Sequence, residues 1–301
     1  MKALLVKALY STTDLLCRTF ILNTRNPHVG QAFLNLHYGE DDPEKQSLDL
    51  FVPEGEGPFP VLIYTHGGGW LSGNKKNYRR ICRDFAHHGY LVFNINYRLT
   101  PKDPFPVPLQ DVARATRWIS EHAPAYGGDL SRIFLGGESA GAHLISLYAE
   151  SLTDPDLRAE LLIPWTIPAD QVKGLLLFYG AFDLLLTGES NFPFARVMCE
   201  SFLGKRPHPP SLDRLVSPIH HIHKGLPPLF VCACENDPLH PQSIAFVSAC
   251  RKMGLDIEWL FLEKKSYPEA NHSFLAYYFE PCAKLAMEKS LDFMARLAKQ
   301  S

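Results

Sequence analysis

The chain has almost no charge excess, no long basic run and no long apolar one. Its 301 residues carry 30 Lys and Arg against 32 Asp and Glu, a formal net charge of −2. So balanced a chain lacks the field that holds nucleic acid or an anionic membrane. No stretch approaches the roughly 18 consecutive apolar residues of a membrane span. The seven cysteines (Cys17, Cys82, Cys199, Cys232, Cys234, Cys250, Cys282) are odd in number and scattered, which excludes a disulfide framework. Unpaired thiols point to the cytoplasm. Cys232 and Cys234 alternate on one predicted strand and share a face. That pair fits a metal or redox site, or simply two small buried side chains. There is no internal repeat and no low-complexity tract. The N-terminal apolar run is only four residues, Ala3 to Val6, before Lys7 interrupts it, and no small-x-small cleavage site follows. Residues 1–30 therefore read as an amphipathic helical segment lying on the domain, not as an export signal.

What is present is alternation. Seven stretches read as strands: Ser47–Pro53, Pro60–Thr65, Tyr90–Tyr97, Ile133–Gly136, Val172–Tyr179, Leu229–Cys234 and Ile257–Leu262. Helical spacing falls at Tyr78–His88, Val107–His122, the stretch after Ser139, Gln242–Met253 and Ala283–Ala298. Continuous apolar strands alternating with helices predict an α/β fold with a mostly parallel central sheet, covered on both faces. Ligands of such sheets sit at the carboxyl ends of the strands. Two segments break the rhythm. Thr153–Asp170 reads as a surface insertion. Phe182–Leu226, rich in Pro and His and carrying Phe192, Phe194 and Phe202, reads as a partly helical lid.

The residues that suggest chemistry lie at those strand ends. Ser139 sits in Gly137-Glu138-Ser139-Ala140-Gly141, between an apolar strand and a helix. Flanking glycines permit a tight turn that pushes a serine hydroxyl out at the top of the sheet. His66-Gly67-Gly68-Gly69-Trp70 follows another strand. Its glycines let backbone amides turn toward an oxyanion, with Gly68, Gly69 and Ala140 as the best donors. A phosphate cradle would bring G-K-[ST], which is absent. A serine hydroxyl needs a base, and the base needs a carboxylate. Asp237 and His272 each follow a later strand, in the order Ser, Asp, His of α/β-hydrolases. Glu235 is a rival acid, although its side chain points away from the strand-end residue. His220-His221-x-His223 lacks nearby carboxylates and reads as a solvated turn, not a metal site. Arg98 and Asp111 read as an ion pair bracing the scaffold. Trp70 either lines the substrate pocket or packs beside the glycine loop.

The chain resembles the hormone-sensitive-lipase-like (α/β-hydrolase fold-3) carboxylesterases over roughly residues 45–300. The resemblance rests on HGGGW at 66–70, on Tyr97-Arg98-Leu99-Thr100-Pro101 followed by Pro104-Phe105-Pro106, on Gly127-Gly128-Asp129 leading into GGESAG, on NDPL at 236–239, and on His272. It implies a single α/β-hydrolase domain over 1–301, with helical cap elements from about 1–35 and 182–226. It implies a nucleophile Ser139, acid Asp237 and base His272 acting on small-molecule esters of short to medium acyl chain, without metal or cofactor. Neither nucleic acid nor a membrane span is expected, and a homodimer stays open. Glu138 stands where family members commonly carry Asp, and Ser273 replaces a common glycine; both bear on substrate preference. An arylformamidase or another amide or lactone hydrolase on the same residues is the nearer alternative, since that group also uses an H-G-G-x-W loop. A non-catalytic receptor is the more distant one.

Overall fold

The computed structural model describes residues 2–17, 23–204, 209 and 211–299. In chain order the elements are α1 (Lys2–Cys17), β1 (Gln31–His37), β2 (Ser47–Val52), β3 (Phe59–Thr65), α2 (Arg79–His87), β4 (Leu91–Ile95), α3 (Val107–His122), β5 (Gly128–Glu138), α4 (Ala140–Glu150), α5 (Pro155–Glu160), β6 (Val172–Phe178), α6 (Leu184–Glu189), α7 (Ala195–Leu203), α8 (Ser211–Leu215), β7 (Leu229–Cys234), α9 (His240–Met253), β8 (Ile257–Leu262) and α10 (Pro281–Ala298).

The eight strands form one sheet in the order β1-β2-β4-β3-β5-β6-β7-β8. β1 and β2 pair antiparallel, as do β2 and β4, and every pairing from β4 onward is parallel. Successive strand residues point to opposite faces, so both faces of the sheet need a cover. On β3, Val61 and Ile63 join one apolar layer, with Leu109 and Val112 of α3, Leu144 and Leu147 of α4, and Phe246 of α9. Leu62 and Tyr64 join the other, with Ile81 and Phe85 of α2 and Phe293 of α10. Two-sided burial explains why these strands read as continuous apolar runs.

The alternation expected from the sequence is present, with two differences. No strand is expected at 31–37, where exposed residues leave no clean alternation; β1 there is an edge strand, bulged between Phe33 and Leu36. Residues 153–170 are not a surface excursion: Leu157, Leu161, Ile163 and Ile167 are buried in the first layer, and Ile167 N–H donates to Tyr148 Oη at 3.1 Å. The N-terminal segment is helical over α1, whose inward Val6 is buried. Its outward leucines (Leu4, Leu5, Leu9, Leu15 and Leu16) are all more than half exposed. The described part of the expected cap consists of α1, α6, α7 and α8. Tyr10 Oη of α1 donates to Pro193 O at 3.3 Å, and its ring meets that of Phe194. Residues 1, 18–22, 205–208 and 210 of the expected cap lie outside the described residues.

Candidate active site

Ser139 is the single residue between β5 and α4. Its φ is 53° and its ψ −119°, a strained conformation for a side chain bearing Cβ. The turn is held by Ser139 N–H donating to Phe178 O at 2.9 Å and Ser139 O accepting from His143 N–H at 3.0 Å. It presses Gly141 against the end of β3, where a Cβ would overlap the carbonyl oxygens of Thr65 and His66. Only glycine fits so close an approach. The tight turn leaves the serine at the carboxyl edge, with the N-terminus of α4 behind it.

Strand order brings the other groups to the same edge. β3 is the neighbour of β5, with Thr65 level with Gly137, so the glycine loop starts beside the serine turn. β7 and β8 are neighbours and end together at Cys234 and Leu262. The Asp237 and His272 loops therefore leave the sheet side by side. Ser139 Oγ donates to His272 Nε2 at 2.9 Å, and His272 Nδ1 donates to Asp237 Oδ2 at 2.7 Å. Asp237 Oδ1 accepts from Leu239 N–H at 2.8 Å, which locks the carboxylate. The Asp237 side chain is fully buried and that of His272 is 14% exposed, so the chain of bonds runs from a dry interior to the cavity.

The glycine loop is held from below. Gly68 and Gly69 have φ of +115° and +57°, and Gly68 O accepts from Leu71 N–H, Ser72 N–H and Ser72 Oγ. His66 stacks on Tyr97 at 4.3 Å, and its Nδ1 donates to Gly67 O at 2.7 Å. Burial pushes the His66 imidazole down to about 3, so at neutral pH it is uncharged and acts as a fixed brace. Ala140 opens α4 directly after the serine. The first amides of a helix lack intrahelical acceptors, and they add to the positive potential there.

A cavity of about 410 Å³ opens on these groups. Gly68, Gly69, Ser139 and His272 line it, with Tyr10 of α1, Tyr78, and Phe192, Pro193 and Met198 from the stretch between α6 and β7. Phe192 packs edge-on to the His272 imidazole at 4.6 Å. Its volume falls in the range of small-molecule sites. A larger groove of about 730 Å³ between α2 and α10 contains none of these groups.

One site residue expected from the sequence is placed elsewhere. Trp70 does not line the cavity. It is 2% exposed, its Nε1 donates to His143 Nδ1 at 3.2 Å, and its ring packs on Phe202 at 4.9 Å. A positive φ of 59° at Trp70 turns the indole inward beneath α7. His143 Nε2 in turn donates to Val216 O at 2.7 Å, so this pair ties the glycine loop and α4 to the chain just past α8. Glu235 accepts from Lys264 N–H at 2.7 Å, away from His272. His221 and His223 bind the carbonyls of Leu215 and Glu150 and do not converge. Arg98 grips Asp111 with two side-chain bonds of 2.8 and 2.7 Å. Cys232 and Cys234 are buried in the second apolar layer. The Cys17 side chain lies outside the described residues.

Sequence reasoning overlooked Phe192, Met198, His66 and His143 as individual site groups. The signal for the first two was faint: an aromatic-rich insertion in which Phe192 is named only as one of several lid aromatics and Met198 not at all. The signal for His66 was its place directly before the glycines.

The family model described as BD-FAE matches residues 48–249, more than half of the chain. The chain belongs to the BD-FAE family. That family match, with the esterases below, places it among the hormone-sensitive-lipase-like α/β-hydrolases. "Probable carboxylic ester hydrolase LipM" of Mycobacterium tuberculosis is 34% identical over 203 residues, 65% of this chain and 46% of that protein. "Esterase LipQ" of the same organism is 34% identical over 221 residues, 71% of this chain and 50% of that protein. The chain thus spans about half the length of these relatives. The crystal structure of inhibited esterase B from Lactobacillus rhamnosis superposes with a TM-score of 0.88 at 24% identity, over 100% of this chain and 98% of that one. It shares the α/β-hydrolase fold. In this BD-FAE chain the matched stretch includes the glycine loop, Ser139 and Asp237, and it stops before His272.

Proposed function

We propose that the chain is a serine carboxylesterase. The observation that carries this reading is the unbroken Ser139–His272–Asp237 bond series beside a glycine-rich loop. The Ser139 hydroxyl attacks the ester carbonyl while His272 Nε2 takes its proton. Asp237 fixes the tautomer and faces the imidazolium that forms. The carbonyl oxygen becomes an anion, received by the amides of Gly68, Gly69 and Ala140. His272 returns the proton to the departing alcohol oxygen as the acyl-enzyme forms. Water then enters, gives a proton to His272, and releases the acid and Ser139. Nucleophile, base and oxyanion donors are all protein groups, so the chemistry asks for no metal or cofactor.

Short to medium acyl chains suit the cavity, because Met198 and Phe192 close it above the glycine loop and His272. The whole chain is read as one catalytic domain with cap elements near 1–35 and 182–226, supported by the packing of Tyr10 on the 192–194 stretch. Its six described free cysteines are consistent with a cytoplasmic site of action. The test is turnover of p-nitrophenyl esters from acetate to decanoate, compared with N-formylkynurenine, with Ser139→Ala as control. Ester turnover that exceeds formamide turnover and vanishes in Ser139→Ala is expected. Formamide turnover alone would move the reading to an arylformamidase.

A further inference from the structure

The mechanism above uses one carboxylate, Asp237, and leaves a second unused. Glu138 stands one residue before the nucleophile and is 1% exposed. Among the described residues, the basic group whose charge acts on it is His272. Its oxygens are held by two phenols from the strands on either side. Tyr64 Oη of β3 donates to Oε1 at 3.2 Å, and Tyr179 Oη, one residue past β6, donates to Oε2. Tyr179 then reaches the catalytic base: its ring centroid lies 5.0 Å from that of the His272 imidazole. A buried carboxylate with no fixed cation is costly, and it is most favourable when a positive charge appears next to it.

We propose that Glu138 is a positioning residue for His272: through the Tyr179 ring it sets the imidazole plane, and as a carboxylate it is a second negative group facing the imidazolium. This rests on the esterase reading. No bond to Glu138 forms or breaks. The Ser139 proton passes to Nε2, the Nδ1 proton stays shared with Asp237, and Glu138 acts only through field and contact.

The ionisable groups around the pair are Tyr64 on β3, Tyr78 in the turn at Lys75–Tyr78, Cys82 on α2, Tyr179, and Asp237 on the Nδ1 side of the imidazole. Burial, and then the Glu138 charge, hold the Tyr64 and Tyr179 phenols well above their ordinary range, so both stay donors. Burial likewise keeps the Cys82 thiol protonated. Burial lifts the Glu138 carboxyl to about 7, against the opposing pull of the two phenol bonds and of His272. A proton gained by His272 therefore favours an ionised Glu138.

The test compares Glu138→Gln, Glu138→Asp and Tyr179→Phe with wild type, by steady-state kinetics on p-nitrophenyl acetate and by NMR titration of the His272 imidazole. Glu138→Gln is expected to lower kcat by roughly tenfold or more with KM within about twofold, the pattern of an interaction made in the transition state. Glu138→Asp, which keeps the charge, should be faster than Glu138→Gln. The His272 titration midpoint should move to lower pH in Glu138→Gln, a readout that a purely structural role would not move. Tyr179→Phe keeps the ring and should show a smaller shift of the same sign. An unmoved midpoint, or equal kcat in the Gln and Asp variants, would overturn the proposal. The NMR arm needs no turnover. If wild type fails to hydrolyse esters but the midpoint moves, the esterase reading falls and the Glu138–His272 coupling stands.

Discussion

Replacing Asp237 by Asn removes one charge and leaves the shape of the site almost intact. The wild-type carboxylate makes two bonds: Oδ1 accepts from Leu239 N–H at 2.8 Å and Oδ2 accepts from His272 Nδ1–H at 2.7 Å. In Asp237→Asn the amide oxygen can keep the first bond, because Leu239 offers only a donor. The amide NH₂ then faces Nδ1, and two donors cannot bond. The imidazole relieves the conflict by moving its proton to Nε2, the atom that must accept from Ser139 at 2.9 Å. A base carrying a proton where it should accept one does not activate the serine. The loss expected for such a tautomer trap is about 10⁴-fold in kcat, or roughly 5.5 kcal/mol at ~1.36 kcal/mol per decade. Stability should change by only about 1 kcal/mol, since the fully buried side chain keeps its volume and one bond. The assay is kcat for p-nitrophenyl acetate, with the thermal midpoint recorded on the same preparation. A folded Asp237→Asn protein within tenfold of wild type would refute the assignment of the acid.

Gly69→Ala should cut kcat at least tenfold, because its φ of +57° disfavours a side chain and the new Cβ would overlap Met198 Sδ; wild-type kcat would remove Gly69 from the oxyanion loop. Met198→Ala should move the preferred p-nitrophenyl ester to a longer acyl chain, since Met198 lines the cavity above that loop; an unchanged preference would place the acyl pocket elsewhere. Glu138 should make stability pH-dependent in a defined sense. Its folded pKa of about 7 lies above the unfolded value of 4.5, so its contribution is fully present below about 4.5 and is lost as pH rises through 7. The slope is roughly 1.4 kcal/mol per pH unit. Urea midpoints measured from pH 5 to 8 should fall in wild type relative to Glu138→Gln, and parallel curves would contradict the buried ionisation.

The parts of this molecule that were legible in its sequence share a physical cause. Strands covered on both faces are continuous apolar runs, so β3, β6 and β7 announced themselves. A serine turn that presses Gly141 onto Thr65 and His66 admits only glycine, so the motif around Ser139 was conspicuous. Groups at strand ends follow from strand order, and the structure has Ser139, His272 and Asp237 in contact. What was illegible depends on side-chain direction and distant packing. β1 hides because an exposed, bulged edge strand has no clean alternation. Residues 153–170 look polar, yet four well-spaced aliphatics sink into the first layer. Trp70 stands beside the glycine loop in sequence but turns inward toward His143, and no local pattern records the sign of a φ angle. The Glu138–Tyr64–Tyr179 cluster joins three strands at separations of 74 and 41 residues, which a linear scan does not see.

If Ser139 is a nucleophile activated by the imidazole beside it, a fluorophosphonate should find it first. Mass spectrometry of the tryptic peptide bearing Ser139 after exposure to a fluorophosphonate tests this directly. One adduct is expected on Ser139 in wild type, none in Ser139→Ala, and labelling slowed by orders of magnitude in His272→Ala. A wild-type protein that stays unlabelled, or one labelled at another serine with Ser139 free, would contradict it.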